Sequence, residues 1–235
     1  MVDLNGKLKL HPAFRSSVAH LGAERSPVLI VDDFLADPAV LVDYAATVAD
    51  FGAVTDTFYP GIRAPIPQIY TFAVRAFLGG LITRTFSVGE VVKELATFSL
   101  VTTRPERLQV QQRLPHFDNT DERQLAVLHY LCDGMGGTSF YRHRATGFET
   151  IRPPRLAEYT RAVTAELAAN GSPAERYIRG DTDLFECIGT FAAAFNRVLV
   201  YRSVSLHSAD IPAEFSFASN PRTGRLTANT FFFCR

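Results

Sequence analysis

The chain has 235 residues and a mass of 26.0 kDa, and its 47% hydrophobic and 11% aromatic content fills a packed core and excludes disorder as the main state. Lys and Arg number 24 against 24 Asp and Glu, so no summed basic field holds a polyanion, and neither nucleic acid nor an anionic membrane is an expected partner. No stretch approaches the ~18 apolar residues of a membrane helix, residues 1–14 lack the apolar block of a secretory signal, and Cys132, Cys187 and Cys234 are odd in number without a CxxC pair, so a cytoplasmic protein with reduced thiols is expected.

In chain order, residues 28–32 read as a short buried strand behind Pro27, and Asp37-Pro38 supplies a cap and a first-turn proline for a helix to about residue 50. Residues 58–67 carry Pro60, Gly61, Pro65 and Pro67, which predicts an irregular loop, because proline removes a backbone donor and fixes φ. A helix over about 68–86 follows. From residue 96 the texture changes to short runs rich in Val, Thr, Tyr and Phe separated by turn residues, the pattern of an antiparallel β unit. Its candidate strands are 97–103, 107–113, 124–132, 138–143, 184–191, 197–202, 204–208 and 225–234, and eight in this pattern predict a jelly roll. Between the fourth and fifth, Leu156, Tyr159, Val163 and Leu167 form a helical stripe that Asn170-Gly171 stops. Residues 152–183 are therefore expected to be a helical insertion, too short to bury a core of its own. The expected architecture is α+β in a single domain over 1–235. An N-terminal α/β support segment, 1–95, packs its helices on one sheet of a double-stranded β-helix core, 96–235.

His116-Phe117-Asp118 places an imidazole and a carboxylate at i and i+2, which on a strand lie on one face with Phe117 turned away. An HxD pair is common by chance, so context decides. His207 closes a strand-like run over 198–206 and is the candidate third ligand. Two imidazoles and a carboxylate on one side of an ion form the facial triad of non-heme iron(II) oxygenases, which leaves coordination positions open, whereas structural zinc sites are closed. Arg225-Leu226-Thr227 then puts two polar side chains on one face of a final strand that is otherwise largely apolar through Phe231, Phe232 and Phe233. A buried guanidinium calls for an anion, since an unpaired buried charge costs several kcal/mol. A carboxylate co-substrate meets that need, with Thr227 adding a hydroxyl.

Taken in order, His116-Phe117-Asp118-Asn119, Tyr130-Leu131-Cys132, Gly136-Gly137-Thr138-Ser139-Phe140, His207 and Arg225 resemble the signature of the iron(II)/2-oxoglutarate-dependent oxygenases of the prolyl 4-hydroxylase type. The likeness covers about 96–235, and Val31-Asp32-Asp33-Phe34-Leu35 also resembles the opening strand of such enzymes. The resemblance implies a dioxygenase, with hydroxylation as its default outcome. It would use Fe(II) held by His116, Asp118 and His207, and 2-oxoglutarate held by Arg225 with Tyr130 supporting the same carboxylate. Thr227 comes from strand alternation alone, and Asp118 in place of a Gly or Ala argues against halogenation. The sequence departs from the family pattern in three places. Residues 109–115 lack the usual Tyr-x-x-Gly approach; the interval from His207 to Arg225 is long and contains Pro212 and Pro221, so Arg222 competes for the anion; and the insertion 152–183 is extra, available as a lid or a homodimer contact.

Tyr59-Pro60-Gly61-Ile62-Arg63-Ala64-Pro65 is the most unusual loop, bracketed by proline so that Tyr59 and Arg63 are presented in a fixed way. It resembles a segment of a bacterial branch of these oxygenases, which makes Tyr59 and Arg63 candidate substrate contacts. His129, beside Tyr130 on a strand, points to the opposite face and is expected to be a packed or surface histidine, not a ligand; His143, between Arg142 and Arg144, is expected to face solvent. The expected substrate is a small molecule or a peptide. Two other readings stand beside the oxygenase. A cupin-like isomerase or hydrolase needs no buried arginine near its metal, and a non-catalytic β-sandwich binding module predicts no stabilisation by metal.

Overall fold

A computed structural model describes residues 4–53 and 59–235. Strands β1 (Arg15–Leu21) and β2 (Ser26–Asp32) form a hairpin, followed by α1 (Ala39–Thr47), β3 (Gly52–Ala53), β4 (Gly61–Pro65), α2 (Gln68–Phe86) and β5 (Val91–Val101). The second half supplies β6 (Gln124–Tyr130), β7 (Gly137–His143), α3 (Pro153–Asn170), β8 (Phe185–Ala192), β9 (Val198–Arg202), β10 (His207–Asp210) and β11 (Leu226–Cys234). With these helices and two antiparallel sheets the class is α+β. The larger sheet runs β1-β2-β9-β6-β11-β5-β4-β3 and so draws strands from both sides of residue 95; the smaller runs β10-β7-β8.

Side-chain alternation sets the layers. On β11, Leu226, Ala228 and Phe232 are fully buried against the helices, while Thr227, Asn229 and Phe231 take the opposite face. Helix α2 meets the first face with Tyr70, Val74, Leu78, Ile82 and Phe86, one side chain every fourth residue, all buried. It starts behind Pro67, whose ψ of 139° is extended, and stops where Ser87 turns left-handed at φ 51°. Val40, Leu41 and Ala45 of α1 join the same core. The small sheet covers the other face: Phe140 of β7 meets Tyr201 of β9 edge to face, ring centroids 5.0 Å apart.

Several expectations are corrected. Residues 107–113 form no strand but part of two short 3₁₀ turns, Pro105–Arg107 and Val110–Arg113. Pro105 lacks an N–H, and Gln109 and Gln112 cap each other reciprocally, so the local hydrogen bonds close within the turn. Of the expected loop 58–67, Phe58 lies outside the described residues, and the rest contains β4, which pairs with β5 through Gly61↔Val101 and Arg63↔Ser99. Its prolines flank the strand or end it, where a missing donor is tolerated. Residues 203–204 form a turn, with Ser205 N–H donating to Arg202 O at 3.0 Å, and Ser205 makes only an isolated bridge to Thr150, so β10 begins only at His207. His116 and Asp118 also lie outside any strand, on a segment that touches β10 at one bridge.

Asn170-Gly171 does stop α3, whose stripe packs Tyr159 and Val163 against the small sheet. His143 is buried, not solvent-facing, between Thr146 Oγ1 at 2.9 Å and Glu166 Oε2 of α3 at 2.7 Å. Of the packed and surface positions open to His129, the structure has the packed one, between Tyr70 and Asn196. The three cysteines are free, and burial pushes the Cys132 thiol up to about 11. Among the described residues no helix is long and apolar enough to cross a membrane.

Candidate metal centre

Two histidines 91 positions apart in sequence meet on one rung. His116 N–H donates to His207 O at 2.9 Å and His207 N–H to His116 O at 2.8 Å, an isolated antiparallel bridge at the free edge of β10. Directly opposed residues project from the same face of a ladder, and here the two rings lie with centroids 4.3 Å apart. Asp118 N–H then donates to Ser203 O at 2.8 Å, which turns the chain and brings its carboxylate back to the imidazoles. Asp118 Oδ1 is 3.8 Å from His116 Nε2, and Oδ2 is 3.7 Å from His207 Nε2. One ligand atom from each residue lies within 4.8 Å of the other two.

Protonation favours ligation. His207 Nδ1 lies 2.9 Å from Ser205 O; a carbonyl only accepts, so Nδ1 is a donor there and Nε2 is the ring nitrogen that faces Asp118. Burial, then the nearby His207 and Arg63, hold His116 well below the ordinary imidazole range, so it is neutral at physiological pH. The accessible part of its side chain, 54%, opens into the cavity, where a small molecule reaches a ring otherwise surrounded by protein. Burial raises Asp118, with His207 and Arg63 acting against it, so its charge is poorly compensated until a cation arrives.

The triad opens into a cavity of about 600 Å³ between the two sheets. Arg225, 3% exposed, lines it and is held by main-chain carbonyls alone: Nε donates to Met135 O at 3.2 Å and Nη2 to Gly137 O at 2.7 Å. Arg222 points elsewhere, paired with Asp43 at the half-exposed surface. Thr227 lines the cavity with a buried Oγ1 that has no hydrogen-bond partner among the described residues. Tyr130 sits behind the wall, its ring 5.4 Å from the Arg225 guanidinium and its hydroxyl 2.6 Å from Thr138 Oγ1, so it backs Arg225 rather than facing the cavity. Tyr59 and Arg63 both line the cavity, the Arg63 guanidinium 4.4 Å over the Tyr59 ring.

Sequence reasoning missed four lining residues. Tyr201 packs 4.8 Å from the His207 ring, and burial, then Asp118, raise its hydroxyl well above the phenol range, so it stays a neutral donor. Asn229, two residues beyond Thr227, shares its face; the alternation that selected Thr227 selects Asn229 as well. Gln124 opens β6 with a buried Oε1 lacking a partner, and Tyr159 enters from α3. The last two have no local sequence signal, since they depend on how α3 and β6 dock.

The model of one family, described as a family of unknown function (DUF6445), matches residues 12–232. No curated protein matches the chain. Among solved structures, HygX from Streptomyces hygroscopicus, with nickel, 2-oxoglutarate and hygromycin B bound, is similar at 11% identity and a TM-score of 0.49, over 89% of this chain and 84% of that one. An N-substituted L-amino acid dioxygenase from Burkholderia ambifaria AMMD is similar at 12% identity and a TM-score of 0.42, over 95% and 94%. Its complex with alpha-KG gives 10% and 0.36, over 89% and 81%.

Proposed function

We propose, for a chain that belongs to the family of unknown function DUF6445, the activity of an iron(II)- and 2-oxoglutarate-dependent dioxygenase that hydroxylates a small molecule. The observation that carries this reading is the pairing of His116, Asp118 and His207 with a buried, carbonyl-held Arg225 in one cavity. The order β5-β11-β6-β9 in the large sheet, facing the His116 rung, β10, β7 and β8, supports a double-stranded β-helix as the frame.

The residues fit the groups this activity needs. His116, Asp118 and His207 offer two imidazoles and a carboxylate on one side of an ion, the donor set of non-heme iron(II). When bound, iron(II) and 2-oxoglutarate supply oxidation by dioxygen: the keto acid becomes succinate and carbon dioxide, and a substrate C–H becomes C–OH. The protein's own part is placement. Ser205 O fixes the His207 tautomer, and Met135 O and Gly137 O aim the Arg225 fork. Thr227 Oγ1 stands one strand position from Leu226 with a hydrogen bond left to give to a carboxylate oxygen. Tyr201 shields His207, and Phe117 and Tyr159 keep the other wall apolar. A 600 Å³ cavity suits a small substrate beside a keto acid.

The test is anaerobic addition of iron(II) and 2-oxoglutarate, read by the weak visible absorption of the metal–keto acid chelate. Wild type is expected to show the band and His207→Ala to lose it. Arg225→Ala is expected to require far more 2-oxoglutarate. Absence of the band in wild type, or its persistence in both variants, refutes the assignment.

A further inference from the structure

The cavity contains a second guanidinium that the keto acid does not need. Arg63 of β4 stands in register with Ser99 of β5, and Ser99 with Thr227 of β11, so the three lie in one row across the cavity face of the large sheet. Among the described residues, Arg63 Nε is buried and without a hydrogen-bond partner, and the guanidinium forms no ion pair, the nearby Asp118 pairing with His116 and His207 instead. The Tyr59 ring occupies one face of the guanidinium, which leaves the in-plane N–H edge for a ligand. Asp118 feels the Arg63 charge but belongs to the triad.

Charge balance then defines what is missing. Among the described residues, the formally charged ones lining the cavity are Arg63, Arg225 and Asp118. A divalent ion on the triad brings the lining to +3, and 2-oxoglutarate supplies −2. One positive charge remains, beside Arg63, and a buried charge without a counterion is costly. The wall formed by Leu114, Phe117, Tyr159 and Val163 is apolar or aromatic.

We propose that Arg63 binds the carboxylate of the primary substrate, an amphipathic monocarboxylate whose apolar body lies along Phe117, Tyr159 and Val163. The proposal rests on the dioxygenase reading above. A carboxylate matches one guanidinium fork edge to edge. A phosphate monoester brings nearly two negative charges and asks for more donors than a single fork provides. The geometry also separates the two anions: Arg225 enters from the end of β11 and Arg63 from β4, with β5 between those strands.

The experiment uses the full chain, loaded anaerobically with iron(II) and 2-oxoglutarate, with hexanoate, hexanamide and hexyl phosphate as probes. The readouts are the position of the chelate band and the melting temperature, for wild type, Arg63→Gln and Arg63→Lys. Hexanoate is expected to shift both readouts saturably in wild type and to bind at least about tenfold tighter than hexanamide, the effect of one charge-assisted bond. Arg63→Gln is expected to lose that preference and Arg63→Lys to keep part of it, while both retain the 2-oxoglutarate affinity of wild type. Equal binding of acid and amide, failure of hexanoate to bind, tighter binding of hexyl phosphate, or an Arg63→Gln variant that keeps the preference overturns the proposal. So does loss of 2-oxoglutarate binding in Arg63→Gln but not in Arg225→Gln. A wild-type protein with no chelate band fails the dioxygenase reading itself; a band without carboxylate preference fails only the role of Arg63.

Discussion

His116 and His207 exchange both main-chain hydrogen bonds, at 2.9 and 2.8 Å, and so fix two prospective ligands to each other before any ion is present. Because the rung is main-chain, truncating one ring leaves it intact. His116→Ala is expected to keep the stability of the metal-free protein within about 1 kcal/mol, as its ring is half exposed. Wild type is expected to gain about 2.7 kcal/mol from Mn(II) at a hundredfold excess over its dissociation constant, and the variant to gain nothing. Thermal melts with and without Mn(II) check both parts.

Gly136 has φ +79°, and a Cβ there would collide with the Asp210 carbonyl of β10. Its neighbours Met135 and Gly137 provide the carbonyls that hold Arg225. Gly136→Ala is therefore expected to destabilise by about 2 kcal/mol or more through left-handed strain and displacement of β10. It should also weaken 2-oxoglutarate binding without touching a charged residue. Denaturant midpoints and a keto acid titration measure the two effects.

Asn196 carries a buried junction. At φ 65°, its Oδ1 accepts from Leu35 N–H at 2.9 Å and its Nδ2 donates to Leu35 O at 2.8 Å, pinning the chain after β2 to the turn before β9. Oδ1 also faces His129 Nε2 at 3.2 Å, which makes Nε2 the protonated nitrogen and Nδ1 the acceptor for the Tyr70 hydroxyl. Asn196→Ala leaves several of these groups unpaired, and a loss of roughly 2–4 kcal/mol is expected in chemical denaturation.

Burial holds His129 down to about 4, with the Asn196 bond acting in the other direction. Between that value and the unfolded imidazole value of about 6.5, the unfolded chain binds a proton that the native chain refuses, so stability declines as pH falls through this window. From about pH 7 to about pH 4.5 this one group is expected to remove about 2 kcal/mol. In His129→Gln the decline should be shallower, although its stability at neutral pH is lower. Urea midpoints at both pH values decide it; an equal decline in the two proteins contradicts the assignment.

Much of this molecule is legible in the residues because their signals are local. The α2 stripe repeats every fourth residue from Tyr70 to Phe86, and the alternation of β11 separates the Leu226 face from the Thr227 face. The order of His116, Asp118, His207 and Arg225 likewise anticipates one shared cavity. Most of what escaped depends on partners distant in the chain, residues 107–113 being a local exception. Residues 107–113 have strand-like composition, but Pro105 and the Gln109–Gln112 pair close turns instead. Gly61–Pro65 has a loop's composition, yet β5 offers it an edge and makes it a strand. His143 sits among arginines, but Glu166 of α3 draws it inward. Arg222 competes with Arg225 in the sequence; the pairing of Arg222 with Asp43, and the burial of Arg225 on the carbonyls of Met135 and Gly137, separate them.

The segment leading to the HxD pair forms a backbone bridge to the small sheet at a single residue, and before that rung it runs through two short 3₁₀ turns; Gln111, Leu114 and Pro115 of this stretch form part of the cavity wall. Insertions, deletions or wholesale replacement in that stretch therefore alter the shape presented to an incoming molecule without disturbing the two imidazoles downstream. Reactivity and selectivity occupy separable pieces of chain in this architecture, so descendants can diverge in what they accept while inheriting the same chemistry.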